Sequence, residues 1–203
     1  MLIYLVRHGQ AQSNLDKVCA WHKDSPLTEL WNKQALAAWQ TFAQVGFDQV
    51  YSSDLSRARD TAKYIIKSDQ VIITDQRLRE RCYYNYEWTN NLIVQHSEEQ
   101  DIEHWEYIQR WWSLPDRRIE HNQEIITRRE QFVQEHIVNN QSENILITSH
   151  GSFIRTVISH IVQWTMSQFT SLMNTSITIL HYSTDSWMKL ITYNQHTHIL
   201  ALT

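Results

Sequence analysis

The chain opens with Met1-Leu2-Ile3-Tyr4-Leu5-Val6-Arg7-His8-Gly9, where an apolar run stops abruptly at three residues of a different kind. A short apolar run of this sort is typical of a buried β-strand, and the break after Val6 predicts a loop. The loop brings a guanidinium group, an imidazole and exposed backbone N–H groups to one place, which suits a phosphate. A strand-end ion pair beside a hydrogen-bonded histidine explains Arg7-His8-Gly9 alone equally well.

A second strand end of the same kind lies at Ile147-Thr148-Ser149-His150-Gly151. The sequence contains 3 glycines, and Gly9 and Gly151 each follow a histidine at the end of a predicted strand. In α/β proteins the ligand binds at the carboxyl ends of the parallel strands. We therefore expect the functional chemistry at these two His-Gly pairs.

A third strand, loop and helix run from Val50 to Ala62, with the helix expected to open at Asp54. Arg57 lies in the first turn of that helix, where the helix dipole disfavours a cation. Unpaired N–H groups at a helix start are a natural anion site, so we interpret Arg57 as serving an anion. Arg59 faces elsewhere and is expected to form a surface ion pair.

Strands and helices alternate along the chain, which predicts an α/β sandwich with a mostly parallel central sheet. No repeat or linker interrupts residues 1–203, so we expect one domain, with a helical insertion at about 83–139 over the active site. The predicted strands are Met1–Val6, Val50–Ser52, Val71–Ile73, Asn144–Thr148 and a final antiparallel pair, Ile177–Tyr182 and Trp187–Tyr193. The predicted helices run from Thr28 to near Gly46, from Asp54 to Ile65, from Ser97 to Asn139 with a break at Pro115, and from Ser152 to Val162.

Composition places the chain among globular proteins, with 42% hydrophobic and 20% charged residues. Its 203 residues suffice for a core without metal or disulfide support. The net charge of −4 disfavours non-specific nucleic-acid binding. The apolar run at the N-terminus is too short for a membrane span and has no basic segment before it, so neither a membrane anchor nor a signal peptide is expected. Cys19 and Cys82 are two lone thiols, as expected of a reduced cytoplasmic protein.

Five motifs in order make the chain resemble the histidine phosphatase superfamily in its phosphoglycerate-mutase-like branch. The resemblance implies that family's fold, a three-layer α/β/α sandwich. A further stretch, Asn174-Thr175-Ser176-Ile177, resembles the family's late asparagine turn. The five motifs are Leu5-Val6-Arg7-His8-Gly9 with Asn14, Asp24-Ser25-Pro26-Leu27-Thr28, Ser52 to Ala62, Leu78-Arg79-Glu80, and Ser149-His150-Gly151 with Phe153-Ile154-Arg155.

The resemblance implies a nucleophilic mechanism centred on His8, whose imidazole attacks phosphorus and forms a phosphohistidine that water then hydrolyses. It assigns Glu80 the proton transfers to the leaving oxygen and from the attacking water. Taken alone, the carboxylate of Glu80 is explained more simply as balancing nearby guanidinium charge.

The resemblance also implies how the phosphoryl group is held. Arg7, Arg57 and a protonated His150 surround it and neutralise its charge, so no metal and no other cofactor is expected. The two arginines should also favour the neutral, nucleophilic form of His8. The remaining residues assigned to phosphate binding are Asn14, Gln10 and Gly151.

The chain departs from the family pattern at several positions around the expected site. Gln10-Ala11 lacks the usual hydroxyl residue, and Ala20-Trp21-His22 stands where a glycine is common. Trp31 replaces the usual glycine after Thr28-Glu29-Leu30, and Tyr84 to Trp88 carries Tyr and Trp at glycine positions. Bulky aromatic side chains at these positions are expected to narrow or reshape the mouth of the site, so the substrate stays unspecified.

The segment from Tyr83 to Trp112 is rich in aromatic residues. Core or interface packing is the preferred interpretation, which makes a homodimer face one outcome, and a hydrophobic substrate pocket is the alternative. The chain also has 11 histidines, and His196 and His198 lie two apart. No His-Glu-x-x-His helix or cysteine pair accompanies them, so no metal site is predicted. The tryptophans concerned are Trp88, Trp105, Trp111 and Trp112.

Three functions are compatible with these residues. The favoured one is a metal-independent phosphatase acting on a small phosphorylated metabolite. A phosphoglycerate mutase is the alternative enzyme, although the segment after Glu80 does not clearly supply the extra basic residues that such a mutase uses. A non-catalytic protein that binds phosphate esters is the third, and it would have no need of a proton donor.

Overall fold

The computed structural model describes residues 1–18, 20–66, 69–82 and 120–202. Six strands in these ranges form one sheet, with β4 and β1 at its centre. The strands are β1 (Leu2–Arg7), β2 (Gln49–Ser52), β3 (Ile72–Thr74), β4 (Asn144–Ser149), β5 (Ile177–Ser183) and β6 (Trp187–Gln195). Their order across the sheet is β3-β2-β4-β1-β5-β6.

The parallel part of the sheet positions the functional residues. β1 runs parallel to β4, with Arg7 opposite Ser149, and β4 runs parallel to β2, which is parallel to β3. β5 is antiparallel to β1, and β6 is antiparallel to β5, as predicted for the last two strands. Because β1, β2 and β4 end side by side, the residues that follow them, His8, Ser53 and His150, emerge at one edge of the sheet.

Helices cover both faces of this sheet. Ala38 and Ile65 pack on one face, whereas Phe132 and Val157 pack on the other. The helices are α1 (Gln12–Leu15), α2 (Glu29–Thr41), α3 (Ser56–Ile66), α4 (Asn122–His136) and α5 (Gly151–Val162). Short 3₁₀ turns occupy Gln76–Leu78, Met166–Gln168 and Thr197–Leu202. In the part of the chain that the structure describes, no helix combines the length and the apolar character that a membrane crossing requires.

β1 contributes to the cores on both sides of the sheet. Ile3 and Leu5 pack with α4 and α5, whereas Tyr4 and Val6 pack with α2 and α3. Successive side chains of a strand point to opposite faces, so a strand covered on both faces is apolar at every position. This explains the unbroken apolar run at the start of the chain. The predicted three-layer α/β/α sandwich with a mostly parallel sheet is confirmed.

Two helix boundaries differ from the sequence prediction because of tertiary contacts. α2 ends at Thr41 and not near Gly46, because Phe42 turns into the core and packs edge-on against Tyr4 at 5.7 Å between ring centroids. α3 begins at Ser56 and not at Asp54. The Asp54 carboxylate pairs with Arg79, and the backbone N–H of Ser56 donates instead to Asp24 Oδ1 at 2.8 Å. β3 is shifted by one residue from the predicted strand.

The structure describes the second part of the helical region predicted at about 83–139, from residue 120 onward. This part forms α4, whose Ile125, Phe132 and Val133 belong to the main core, so α4 is a layer of the sandwich and not an insertion over the site. The first part, residues 83–119, lies outside the described residues, together with the predicted helix start at Ser97 and Trp88, Trp105, Trp111 and Trp112. Cys19 also lies outside them, and Cys82 is buried.

Candidate active site

His8 and His150 lie side by side at the carboxyl edge of the sheet. Their ring centroids are 5.1 Å apart, and the planes are tilted by 60°. His8 follows β1 and is only 4% exposed, and its backbone N–H donates to the Ser149 carbonyl of β4 at 2.9 Å. The two predicted His-Gly strand ends therefore meet, because the parallel register of β1 and β4 carries both to the same point.

One ring nitrogen of His8 is fixed by the neighbouring peptide. His8 Nδ1 lies 2.7 Å from the Gly9 carbonyl oxygen. A carbonyl oxygen only accepts hydrogen bonds, so Nδ1 carries the proton and Nε2 carries the lone pair of the neutral ring. No described residue forms a hydrogen bond to Nε2, which leaves this nitrogen available as a nucleophile.

The surroundings of His8 also keep it uncharged. Burial lowers the pKa of His8 well below its ordinary value of 6.5, and the positive charges of Arg57 and Arg7 lower it further. The hydrogen bond to Gly9 opposes this shift but does not reverse it. The imidazole is therefore neutral at pH 7, as the sequence analysis expected.

Arg57 lies at the start of α3, as predicted, and two backbone carbonyls orient it. Its Nη2 donates to the Trp21 carbonyl at 2.6 Å, and its Nη1 donates to the Lys23 carbonyl at 2.9 Å. Burial lowers the pKa of Arg57 to about 10, so the group stays charged at pH 7. Trp21 has a φ of 41°, a left-handed conformation that favours glycine, which accounts for the glycine common in this stretch in the family.

Arg7 is buried at the end of β1, where its Nη1 donates to the Leu172 carbonyl. Its Nε is buried and has no hydrogen-bond partner. Burial lowers the pKa of Arg7, and the negative charge of Glu80 counteracts this shift. A Cβ at Gly151 would lie 3.4 Å from Arg7 Nε, so Gly151 leaves room for the guanidinium group.

His150 differs from the expectation of a protonated imidazole. Burial lowers its pKa well below 6.5, and the positive charge of Arg57 lowers it further, so the ring is neutral in the protein alone. Its Nε2 lies 2.9 Å from Ser53 Oγ, and its Nδ1 is buried without a partner. Burial is not visible in the sequence, and in the protein alone the fixed positive charge of the site comes from Arg7 and Arg57, whereas protonation of His150 beside a bound phosphate stays a prediction. Sequence analysis also missed Ser53, although it lies between a predicted strand and helix.

Glu80 lies at the N-terminus of α5, next to the His150-Gly151 pair. Its Oε1 accepts the backbone N–H groups of Arg81 and Phe153, both at 2.9 Å, and its Oε2 accepts that of Ser152 at 3.2 Å. These bonds place the carboxylate where its charge acts on both Arg7 and Arg57. The structure thus brings Glu80 into the same site as His8.

The expected free backbone N–H groups after β1 are not available to a ligand, and this part of the prediction was wrong. The N–H of Gly9 donates to Thr61 Oγ1 at 3.0 Å, and that of Gln10 donates to Gln34 Oε1 at 3.0 Å. The N–H of Ala11 donates to Asn14 Oδ1 at 3.0 Å. Side chains of α1, α2 and α3 therefore accept these N–H groups, and the donors left for an anion are side chains.

Asn14 and Gln10 lie beside the site and are partly engaged within the protein. Asn14 Oδ1 also accepts from Asn174 Nδ2 at 3.3 Å, whereas no described residue forms a hydrogen bond to its amide nitrogen. The hydroxyl of Thr28 donates to Gln10 Oε1 at 2.9 Å. Asn174 Nδ2 also donates to the His8 carbonyl at 3.0 Å, which connects the predicted asparagine turn to the loop that follows β1.

The structure also locates Arg59 and the histidines that were considered for a metal site. Arg59 is half exposed and pairs with Asp60 at 3.4 Å, as expected for a surface ion pair. Within residues 1–18, 20–66, 69–82 and 120–202, no group of three or more His, Cys, Asp or Glu side chains is arranged to hold a metal ion. His198 Nε2 donates to the Thr175 carbonyl at 3.1 Å.

Comparison with known proteins identifies the family. Residues 3–195 match the histidine phosphatase superfamily (branch 1), and the chain belongs to this family. The 2,3-bisphosphoglycerate-dependent phosphoglycerate mutase of Brucella anthropi is 32% identical over 168 residues, which cover 77% of this chain and 79% of the relative. The adenosylcobalamin/alpha-ribazole phosphatase of Salmonella typhi is 26% identical over 165 residues, which cover 80% of each chain. The solved structure of Bacillus stearothermophilus YhfR shares the fold, with a TM-score of 0.81, 22% identity and coverage of 98% of both chains.

The electrostatic coupling in the site predicts the effect of removing one arginine. We expect Arg57→Gln to raise the pKa of both His8 and His150, because the charge of Arg57 lowers both. Both values should still lie below 6.5, since burial is the larger cause. NMR titration of the histidine ring signals measures the shifts. Arg59→Gln, on the same helix but half exposed, is the control and should change neither pKa. Equal shifts in the two variants would contradict this account of the site.

Proposed function

We propose that this protein is a metal-independent phosphomonoesterase that hydrolyses a small phosphorylated metabolite through a phosphohistidine on His8. The observation that carries the proposal is the state of His8. Its ring is neutral, its Nδ1 is committed to the Gly9 carbonyl, and its Nε2 has no hydrogen-bond partner among the described residues. Membership of a family with phosphatase and mutase relatives supports the same conclusion.

The first chemical step is transfer of the phosphoryl group to His8. Nε2 donates its electron pair to phosphorus, an N–P bond forms, and the bond from phosphorus to the ester oxygen breaks. Arg7 and Arg57 face the charge that spreads over the transferred group, and their positions are fixed before the reaction begins. Because two guanidinium groups supply this stabilisation, the proposal requires no metal ion.

Glu80 completes both steps in the proposal. As an acid, it gives its proton to the leaving oxygen, and one carboxyl oxygen has to turn away from its N–H donors to do so. In the second step water attacks phosphorus, the N–P bond breaks, and Glu80 takes up the proton of the water. Inorganic phosphate is released, and neutral His8 and protonated Glu80 are regenerated.

Phosphatase and mutase activities share the first step and differ in the acceptor of the phosphoryl group. A mutase returns the group to an organic hydroxyl, whereas a phosphatase passes it to water. The relatives include proteins with both names, so similarity alone leaves the acceptor open. We favour water because the sequence after Glu80 lacks a clear set of extra basic residues for gripping a phosphoglycerate.

The covalent step is tested by labelling in the presence of excess chelator. Incubation with a phosphate ester should leave an acid-labile, base-stable phosphoryl label on His8, at a rate within about twofold of that without chelator, because no metal-bound water is needed. His8→Ala should remove the label and lower turnover by about 10³-fold or more. His160→Ala, on the exposed side of α5, is the control and should retain both. A label elsewhere, or activity that returns only on adding zinc or magnesium, would refute the proposal.

The acceptor is tested by product analysis with 3-phosphoglycerate and other small phosphate esters. We expect inorganic phosphate as the main product, and no dependence on added 2,3-bisphosphoglycerate, because water is the acceptor. Phosphate release and ester isomers are measured together by ³¹P NMR. If 3-phosphoglycerate gives mainly 2-phosphoglycerate with little free phosphate, the mutase function is correct and the phosphatase function is wrong.

The role of Glu80 is tested with esters that differ in leaving group. Glu80→Gln keeps the shape of the side chain but cannot deliver a proton, so the burst phase with an alkyl phosphate should slow by about 10²- to 10⁴-fold. The burst with p-nitrophenyl phosphate should slow much less, because this leaving group needs little protonation. Glu130→Gln, at an exposed position of α4, is the control and should change neither burst. Equal slowing with both esters would show that the acid is another group.

A further inference from the structure

We propose that Trp31 is a positioning residue for His8, which acts through the peptide between Gly9 and Gln10. The inference rests on the proposed function, since it assigns Trp31 a part in preparing the nucleophile. Trp31 lies in the first turn of α2, where the family usually has a glycine, so this part is specific to the present chain.

The indole of Trp31 lies directly against Gly9. A Cβ added to Gly9 would be 1.9 Å from Trp31 Cδ1 and 2.8 Å from Trp31 Nε1, both impossible distances. Even the smallest side chain at position 9 would collide with the ring. Gly9 and Trp31 are therefore matched to each other, and the ring closes the space on one side of the Gly9 backbone.

The peptide that joins Gly9 to Gln10 is held on both of its polar sides. Its carbonyl accepts the proton of His8 Nδ1 at 2.7 Å, and its N–H donates to Gln34 Oε1 at 3.0 Å. Gln34 lies three residues after Trp31 on α2, so both side chains lie on the same face of that helix. One helix face thus fixes the plane of the peptide whose carbonyl sets the tautomer of His8.

Helix α3 supports the same arrangement from the other side. Thr61 Oγ1 accepts the Gly9 N–H at 3.0 Å, and the Tyr64 ring packs edge-to-face on Trp31 with 5.3 Å between centroids. Thr61 and Tyr64 are three residues apart on α3, which also carries Arg57. The indole is therefore enclosed between Gly9 and a helix that supplies another residue of the site.

The indole N–H of Trp31 is buried and has no hydrogen-bond partner. A buried donor without an acceptor destabilises the fold. The indole therefore suits the space beside Gly9 through its shape and not through hydrogen bonding. A ring without the N–H should therefore serve as well as tryptophan. This separates a positioning role for Trp31 from a role as a hydrogen-bond donor to the substrate.

The consequence for the chemistry follows from the tautomer of His8. If the Gly9–Gln10 peptide is free to rotate, its carbonyl no longer holds the proton on Nδ1. The ring then also populates the form with the proton on Nε2, and in that form Nε2 has no lone pair in the ring plane to attack phosphorus. Loss of Trp31 should therefore lower the population of the reactive tautomer and misalign His8 Nε2 with the phosphorus atom.

The experiment compares Trp31→Ala, Trp31→Phe and Trp39→Ala in the full chain by two measurements. The first is the ¹⁵N NMR signature of the His8 ring, which reports the tautomer without any substrate. The second is the single-turnover rate of His8 phosphorylation. Trp31→Ala should show mixed tautomers and a rate lower by about 10²-fold, the loss expected from a misplacement of about 1 Å. Trp31→Phe should retain the single tautomer and the phosphorylation rate of the unmodified protein. Trp39→Ala, further along α2, should leave the tautomer and the rate unchanged.

A second pair of variants covers the case in which Trp31→Ala does not fold. Gly9→Ala should be severely impaired because of the collision, and Gly9→Ala combined with Trp31→Leu should recover part of the phosphorylation rate. Full activity of Gly9→Ala, or an unchanged tautomer and rate in a folded Trp31→Ala, would overturn the inference. If no ester labels His8 in the unmodified protein, the proposed function fails, whereas the tautomer measurement still decides the role of Trp31.

Discussion

The parallel pairing of β1 with β4 is the constraint on which the rest of the site depends. It sets Arg7 opposite Ser149, so His8 and His150 leave the sheet as neighbours with their rings 5.1 Å apart. The pairing requires both strands to be buried between helix layers, which is why their sequences are apolar without alternation. The same burial removes water from the two imidazoles and lowers the pKa of each. The same burial between helix layers thus explains both the apolar strands and the neutral state of His8.

Burying two guanidinium groups beside these rings is costly unless their donors are matched. Arg7 donates to the backbone carbonyl of Leu172, and Arg57 donates to those of Trp21 and Lys23. The carboxylate of Glu80 adds a negative charge near both arginines. One of these carbonyls belongs to a residue in a left-handed conformation, which large side chains adopt only when the surroundings hold them there. The site therefore depends on backbone geometry as much as on the residues that perform the chemistry.

The helices on one face of the sheet hold His8 through the two peptides that follow it. Thr61 of α3 accepts the Gly9 N–H, Gln34 of α2 accepts the Gln10 N–H, and the ring of Trp31 encloses Gly9. A loop fixed in this way cannot also bind an anion with its backbone. The donors left for an anion are accordingly side chains, and the position of His8 is set by packing outside the immediate site.

The sequence by itself determined the α/β/α sandwich with a mostly parallel sheet, and it singled out His8, Arg57 and Glu80 as candidate site residues, because apolar runs, helix starts and family motifs are local signals. It could not determine that α4 is a core layer, that the N–H groups after β1 are consumed, or that His150 is neutral. Each of these depends on burial or on partners from distant parts of the chain, such as Ser53. Local pattern fixes which residues are available for chemistry, whereas their protonation states and free donors arise only when the folded chain removes water and supplies partners.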